Sequence, residues 1–256
     1  MNRKLALAGL LALPIAANAA DPAAETPEFT GSAELGFLYK TGNTQSLDVK
    51  TGFDLRYEKD KWASKLDLDL LIKKADVVMA DETTSFETTD RKWTLDSKTN
   101  YTLGDDKNYM YGNLWYEDDA FGSFDSRSSF SAGWGRHWYK NDVSSFWADI
   151  GPGYKRDVAY NEDRTATTTN TSWIAQVQAL YLRKINEHVE FKQTASAKVA
   201  TSSGENSSYD AETSITTKLI STLQLKVAFK IEYNTEVAID KKNTDTQTTA
   251  TLVYSF

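Results

Sequence analysis

The chain has no cysteine, only four prolines and only two histidines among its 256 residues. Without cysteine it can form neither a disulfide framework nor a thiolate metal site. Few prolines, together with abundant threonine, serine and aromatic residues, favour β-strands. The composition therefore indicates an all-β chain that is not held together by covalent cross-links.

Long hydrophobic runs are also missing beyond the first twenty residues, and the mean hydropathy is −0.52. This excludes a helical membrane protein, but a transmembrane β-barrel stays possible because only alternate residues of its strands face lipid. The chain lacks an excess of basic charge, since 29 Lys and Arg stand against 36 Asp and Glu. It therefore lacks the basic surface that nucleic-acid binding requires.

The first residues have the pattern of a processing segment. Arg3 and Lys4 precede a short apolar run, Leu5–Ile15, and Ala17-Asn18-Ala19 fits a small-x-small cleavage site. The run is too short to span a bilayer, so we predict a signal peptide at residues 1–19 that is cleaved after Ala19. An uncleaved anchor is the alternative. A short periplasmic lead at residues 20–28 and a barrel domain at 29–256 would follow.

Strict alternation of apolar and polar residues runs through the rest of the chain. In the third predicted strand, Trp62, Leu66 and Leu68 alternate with charged residues, and Leu223–Asn234 is almost perfectly alternating. A period of two residues indicates strands with two different faces. We count about twelve strands of about ten to fourteen residues, which is long enough to cross a membrane when tilted.

The connections alternate too. Those after the even-numbered strands are short, and most of those after the odd-numbered strands are longer and polar, as in Lys74–Asp90, Glu117–Asp125 and Asp157–Thr167. This predicts an antiparallel up-and-down transmembrane β-barrel of about 12 strands with short periplasmic turns and longer extracellular loops. The predicted location is the outer membrane of a Gram-negative bacterium. A soluble sandwich is the alternative, but it does not require this alternation of connections.

Charges of both signs occupy the face that would point into such a barrel. We single out Lys65, Asp67, Asp69, Lys226, Lys230 and Glu232 as lumen charges. A charge-balanced interior in a barrel of this size would be laced with ion pairs and largely filled, whereas a selective pore would carry an excess of one sign. Two interpretations stay open: a salt-bridged plug and a narrow, weakly selective channel.

The last strand alternates up to Phe256, with Tyr254, Leu252 and Ala250 on the same face. It resembles the C-terminal closing strand of bacterial outer-membrane barrels, in which a terminal Phe with a Tyr two residues earlier is read by the barrel-assembly machinery. The resemblance implies that Tyr254 and Phe256 form an assembly signal.

Three further stretches carry a family resemblance: Gly36–Thr44, Ala132–Arg136 and Gly151–Tyr154. With them the chain, over residues 29–256, resembles the YdiY-like, salt-induced outer-membrane protein family, whose defining domain has unknown function. The resemblance implies an outer-membrane location and a link to salt, and it supplies no catalytic residues.

Glycine has physical roles in these stretches. Gly42, Asn43 and Thr44 form a hairpin motif in which Gly42-Asn43 suits a tight turn with positive φ. Gly151 and Gly153 would relieve crowding inside the barrel or at a bend.

Two kinds of chemistry can be sought in the side chains. Barrel hydrolases use a histidine paired with Ser or Asp, but the pattern places His137 inside near a periplasmic end, far from Ser131, and His188 in a turn. Acidic loop residues could bind divalent cations through oxygen ligands or could simply be solvated; they are Asp81, Glu82, Glu117, Asp118, Asp119, Glu162 and Asp163.

The sequence therefore predicts a monomeric, non-enzymatic outer-membrane barrel without a cofactor. Its expected partners are outer-membrane lipid, lipopolysaccharide and the assembly machinery. No nucleic-acid partner is expected. The predicted role is that of a salt-induced envelope protein, with a narrow passive channel as its proposed activity. A surface protein that binds cations or ligands through its acidic outer loops is the main alternative, and a barrel hydrolase is a weaker one.

Overall fold

The computed structural model describes residues 28–40, 46–79, 83–104, 107–161, 164–237 and 241–256. Several of the sequence predictions fall outside these residues. They are the signal peptide at 1–19, most of the lead at 20–28, the hairpin motif Gly42, Asn43 and Thr44, and the loop acids Asp81, Glu82, Glu162 and Asp163.

The described chain consists of twelve β-strands joined by turns and loops. They are β1 (Phe29–Lys40), β2 (Ser46–Lys59), β3 (Trp62–Val78), β4 (Thr84–Thr102), β5 (Asn108–Asp119), β6 (Phe124–Lys140), β7 (Ser144–Tyr160), β8 (Thr167–Lys184), β9 (Val189–Ala200), β10 (Ser208–Lys218), β11 (Leu223–Asn234) and β12 (Thr244–Ser255). In the described residues we find no helix that is long and apolar enough to span a bilayer.

Each strand pairs antiparallel with its neighbours in sequence, and β1 pairs with β12, which closes the barrel. The predicted all-β, up-and-down antiparallel barrel of twelve strands is therefore confirmed. The closing seam is short, because its register covers only Ser32↔Ser255 to Leu35↔Leu252. Two further backbone hydrogen bonds join Gly31 and Phe256, at 3.0 and 2.9 Å.

Alternation sets which side chains face outward. Large apolar residues of one parity are exposed on the outer surface; examples from several strands are Leu35, Leu68, Leu114, Phe130, Ile150, Trp173, Val227 and Leu252. The opposite parity faces inward and includes buried polar residues such as Asn113, Gln176 and Asp149. A barrel that is apolar outside and polar inside is the arrangement that lipid requires.

Paired aromatic rings occur near the ends of the strands on the outer surface. Near the short turns, which we call the turn end of the barrel, Trp62 packs on Tyr101 with centroids 4.9 Å apart. Near the opposite end, the loop end, Tyr154 packs on Trp173 at 5.4 Å. Such rings suit the membrane interface, where their apolar bodies are buried and their polar edges stay hydrated.

Most strands run further toward the loop end than the alternation predicted. The predicted connection Lys74–Asp90 is instead largely sheet, because β3 continues to Val78 and β4 begins at Thr84 after a register shift between Lys73 and Lys74. The predicted loops Glu117–Asp125 and Asp157–Thr167 are present but shorter, since β5 continues to Asp119, β6 begins at Phe124 and β7 continues to Tyr160. Backbone pairing continues here because hydrogen bonds between neighbouring strands satisfy the peptide groups of the longer strands.

Strand β5 carries aromatic residues on both parities, and the structure shows which of them face inward. Tyr109 and Tyr111 are buried inside the barrel, whereas Met110 and Leu114 are exposed outside. Tyr109 follows a short turn, but its ring is not on the outer surface with the other aromatic rings near the turns. Its ring lies over Gly135, where an added Cβ would be 2.2 Å from the ring.

Candidate functional site

The lumen divides into a filled part and an open part. The filled part lies against β4 to β8, where glycines on β6 and β7 leave room for large side chains from other strands. Gly133 and Gly151 approach so closely that a Cβ on Gly133 would lie 2.2 Å from the Ile150 carbonyl oxygen. Glycine is therefore required here by a close backbone approach.

Polar and aromatic side chains cross the filled part from wall to wall. Lys98 of β4 forms an ion pair with Asp149 of β7, and the hydroxyl of Tyr109 donates to the same carboxylate at 3.2 Å. Gln176 Nε2 donates to Asn113 Oδ1 at 3.1 Å. These contacts join strands that are not neighbours, so they brace the barrel across its lumen.

A second set of contacts closes the loop end. Arg127 of β6 donates to Glu117 Oε1 at 2.5 and 2.8 Å and to Asn234 Oδ1 of β11 at 2.8 Å. Lys92 of β4 lies 2.9 Å from Glu117 Oε2 and 3.1 Å from Glu232 Oε2 of β11. We call these five residues, Lys92, Glu117, Arg127, Glu232 and Asn234, the outer latch. Glu117 is only 2 % exposed, so the latch excludes solvent.

Loops at the same end pack over the latch. Asn206, in the connection between β9 and β10, donates to Asn234 Oδ1 at 2.9 Å, and its own Oδ1 accepts the backbone N–H of Glu236 at 3.1 Å. Asn243 Nδ2 donates to the Asn234 carbonyl at 2.7 Å. Asn234 thus joins the latch to two loops at the loop end of the lumen.

The open part begins below the latch. A cavity of about 760 Å³ is lined by residues from next to the short turns, such as Gly31, Gln224 and Ser255, up to Lys92 and Trp115 near the latch. A second cavity of about 410 Å³ lies against the filled part and includes Tyr109 and His137 in its lining. Eight residues line both cavities, so the two meet.

Charge inside the open part is arranged in rows across β2, β3 and β4. Register pairs place three carboxylates side by side and three cations in the next inward-facing row; the rows are Asp54, Asp67 and Asp96, and Arg56, Lys65 and Lys98. Like charges that lie opposite each other repel, and here ion pairs between the rows offset the repulsion. Lys65 Nζ lies 3.0 Å from Asp54 and 2.6 Å from Asp67.

The six predicted lumen charges all lie on the inward parity and are distributed over one region. Lys65, Asp67, Asp69, Lys226 and Lys230 line the larger cavity, and Glu232 belongs to the outer latch. Lys226 pairs with Glu34 at 3.0 Å and Glu212 at 3.6 Å. Lys230 pairs with Glu232 at 2.8 Å.

Two parts of this interior were missed by the sequence analysis. Glu117 was placed in a loop, and Lys92 was not assigned to the lumen. The signal was present, because Asn113, Trp115 and Glu117 continue one parity of β5, and Lys92 shares the parity of Asp96. Only the tertiary structure shows that Lys92 contacts both Glu117 and Glu232, which lies on β11.

The acidic residues considered as a cation site are otherwise engaged where the structure describes them. Glu117 belongs to the latch, Asp118 lies 3.9 Å from Arg91, and Asp119 accepts the backbone N–H groups of Phe121 and Gly122 at 3.0 and 2.7 Å. Across the described ranges, no three or more His, Asp or Glu side chains are grouped to hold a metal ion. These residues do not carry the cation-binding alternative.

The histidines do not form a nucleophilic arrangement with Ser131. The His137 ring packs on Tyr109 with centroids 5.2 Å apart, and the backbone N–H of His188 donates to Asn186 Oδ1 in a turn. Ser131 lies six residues from His137 along β6 and is 1 % exposed.

At the closing seam, Tyr254 and Phe256 lie on the outer surface. Their ring centroids are 6.2 Å apart, and the Phe256 ring is 6.3 Å from that of Phe53 on β2. A Cβ on Gly31 would be 2.6 Å from the Phe256 ring, so the small residue makes room for it. The two residues of the predicted assembly signal therefore pack together beside β1.

The fold and its interior define a class: a closed, up-and-down β-barrel of the outer-membrane type, with an apolar exterior and an ion-paired lumen. The chain belongs to the family described as "Protein of unknown function, DUF481", whose model matches residues 33–256. The YdiY-like family expected from the sequence is thus confirmed. The Escherichia coli (strain K12) "Uncharacterized protein YdiY" is 24% identical over 236 residues, which are 92% of this chain and 86% of that protein.

Solved structures of other barrels are similar to this chain. A NanC porin structure matches with a TM-score of 0.50 and 9% sequence identity, covering 88% of this chain and 98% of that one. The translocator domain of the autotransporter NalP from Neisseria meningitidis matches with a TM-score of 0.49 and 8% identity, covering 89% and 88%. At these identities the likeness to the porin concerns the fold alone.

Proposed function

We propose that the protein is a non-enzymatic outer-membrane barrel that acts as a narrow passive channel for small polar solutes and rests in a closed state. The observation that carries this proposal is the asymmetry of the lumen. Two joined cavities rise from the turn end and reach Lys92, and among the described residues the group that lies above them is the outer latch of side chains. Side-chain ion pairs can separate without unfolding the barrel, so the barrier is one that can open.

The orientation follows from the general architecture of outer-membrane barrels, whose short turns face the periplasm. In this orientation the open cavity faces the periplasm and the latch faces the outside. Equal numbers of basic and acidic residues, seven of each, line the larger cavity. A balanced lining favours small neutral or zwitterionic solutes over bulk transport of one ion.

The test compares single-channel conductance of the refolded wild-type protein and an outer-latch variant in a planar bilayer. Arg127→Ser combined with Glu117→Ser removes both partners of the closest ion pair in the latch, so no buried charge is left alone. We expect the wild type to be closed for most of the recording and the variant to show frequent discrete steps. A variant that is as silent as the wild type, although heat-modifiable mobility shows a folded barrel, would overturn the channel.

A matched control uses an ion pair near the same end that is outside the latch. Lys73 and Asp90 pair at 2.9 Å on β3 and β4, and both are more exposed than Glu117. Lys73→Ser combined with Asp90→Ser should leave the conductance at the wild-type level. Equal opening in both double variants would mean that general loosening of the barrel, not the latch, controls the lumen.

The next parts of the proposal concern export, membrane insertion and expression in the cell. We propose export by a signal peptide cleaved after Ala19, insertion by the barrel-assembly machinery, and a monomer surrounded by outer-membrane lipid and lipopolysaccharide. We also propose that synthesis rises with external salt. Mass spectrometry of the mature N-terminus tests the cleavage, and protein levels at low and high NaCl test the induction. Unchanged levels would remove the link to salt.

A further inference from the structure

The junction of the two cavities is lined by more basic than acidic side chains. Four of the eight residues shared by the two cavities are basic, namely Arg56, Lys65, Lys192 and Lys230, and three are acidic. Arg56 pairs with Asp54 at 3.1 Å, and Lys65 and Lys230 also form ion pairs. Within the described ranges no carboxylate lies within 4.0 Å of the Lys192 ammonium. Among the four basic residues of the junction, Lys192 is therefore the one without an ion pair to a described residue.

The charged side chains around Lys192 are also mostly basic. Of the four charged side chains that act on it most strongly, three are cations, Lys65, Lys226 and Arg56, and only Glu212 is an anion. Lys192 lies on β9, and Arg56 and Lys65 lie on β2 and β3 across the lumen. An ammonium that is half buried among other cations is stabilised by any small anion that can reach it.

Polar groups and space for such an anion are present. Ser214 is the register partner of Lys192 on β10 and lines the larger cavity, and Thr194, the next inward residue on β9, lines both cavities. Their hydroxyl groups can donate to an anion, which carboxylates cannot do. The adjoining 760 Å³ has room for an anion together with its water.

We propose that Lys192, with Thr194 and Ser214, forms a subsite for a small monoanion at the junction of the two cavities. The ligand is a halide-sized or carboxylate-sized anion, because one unpaired ammonium balances one negative charge. As the solute-selecting point of a channel, the subsite rests on the proposed function. As a binding site it does not, because the three residues line the cavities whether or not the latch opens.

The test uses chloride as the probe and the full barrel refolded in a zwitterionic detergent. Binding to a protein broadens the ³⁵Cl resonance of free chloride, and acetate added in excess should reverse the broadening if it competes for the same site. We expect Lys192→Met to lose most of the excess line width and Lys192→Arg to keep it. Lys218→Met is the matched control, since Lys218 is an exposed lysine outside both cavities.

Excess broadening that is the same in Lys192→Met and the wild type would overturn the subsite and would mean that cavity water alone solvates the ammonium. Heat-modifiable mobility verifies that each variant is folded, and Lys192→Gln replaces Lys192→Met if the latter does not fold. The two proposals fail separately. A barrel that binds chloride through Lys192 but never conducts overturns the channel, and one that conducts without this binding overturns the subsite.

Discussion

The ammonium of Lys92 on β4 lies 3.1 Å from a carboxylate oxygen of Glu232 on β11, although four strands separate β4 from β11 on the shorter way round the barrel. The same ammonium lies 2.9 Å from Glu117 on the neighbouring β5. One lysine thus joins two walls of the lumen. This contact requires that the sheet is joined into a barrel by β1 and β12. It therefore reports on barrel formation and on the state of the outer latch.

We expect Lys92 and Glu232 to be strongly coupled in a double-mutant cycle. Lys92→Met and Glu232→Gln should each lower the free energy of unfolding, and the coupling between them should be about 1–3 kcal/mol because both side chains are largely shielded from water. Urea unfolding in detergent measures the four free energies. The more exposed pair Lys73 and Asp90 serves as the control, with an expected coupling of at most about 1 kcal/mol. Equal coupling in the two pairs would contradict the latch.

The buried pair of Lys98 and Asp149 gives a second prediction. The Asp149 side chain is fully shielded from solvent, so Lys98→Met would leave a buried charge without its cation. We expect a loss of about 3–5 kcal/mol in the free energy of unfolding. Adding Asp149→Asn should restore a large part of it, because the neutral amide still accepts the hydrogen bond from Tyr109. A double variant that is less stable than Lys98→Met would contradict this account.

Close packing of β6 on β7 gives a third prediction. A Cβ at Gly151 would lie 2.2 Å from the Ala132 carbonyl oxygen and 2.7 Å from Gly133 Cα, which are backbone atoms that cannot move aside independently. Gly151→Ala should therefore destabilise the barrel by at least about 1–3 kcal/mol. Gly112→Ala is the control, because nothing lies within 4 Å of its added Cβ. The midpoint of heat-modifiable mobility measures both, and equal midpoints would show that the strands can separate freely.

The short seam between β1 and β12 gives a fourth prediction. Only four register pairs and the two bonds between Gly31 and Phe256 join these strands, whereas β1 pairs with β2 along its full length. Amide hydrogens at the loop-end halves of β1 and β12 should exchange faster than those of β9 and β10, because local opening breaks fewer contacts. Hydrogen exchange followed by mass spectrometry tests this. Slower exchange at the seam would contradict it.

Packing of Phe256 at this seam leads to a fifth prediction, on assembly. Phe256→Ala removes the ring that lies beside Gly31 and Phe53, and we expect less folded barrel in the outer membrane of cells. Leu252→Ala is the control, because Leu252 lies on the same outward face. If Phe256 is read by the assembly machinery, refolding of purified Phe256→Ala into detergent should be affected much less than assembly in cells. Equal losses in both assays would reduce its role to packing.

The sequence by itself determined the number of strands, the antiparallel order and most of the facing. The bounds of β9 and β11 agree with the alternation, because Val189–Ala200 and Leu223–Asn234 change parity cleanly and end in polar turns. Alternation is a local property, since each residue's side of the sheet depends only on its neighbours in the chain. For the same reason Lys65, Asp67 and Lys226 could be placed in the lumen.

Which lumen charges meet, and where the outer latch lies, could not be predicted from the sequence. Lys92 and Glu232 are 140 residues apart, and Arg127 and Asn234 are 107 apart, so no local pattern relates them. Their contact depends on how β4 and β6 are staggered against β11 once the barrel closes, and on the glycines of β6 and β7 that let inward side chains lie flat. The unpaired ammonium of Lys192 appears for the same reason, because a charge is recognised as uncompensated only after every neighbour across the lumen is known.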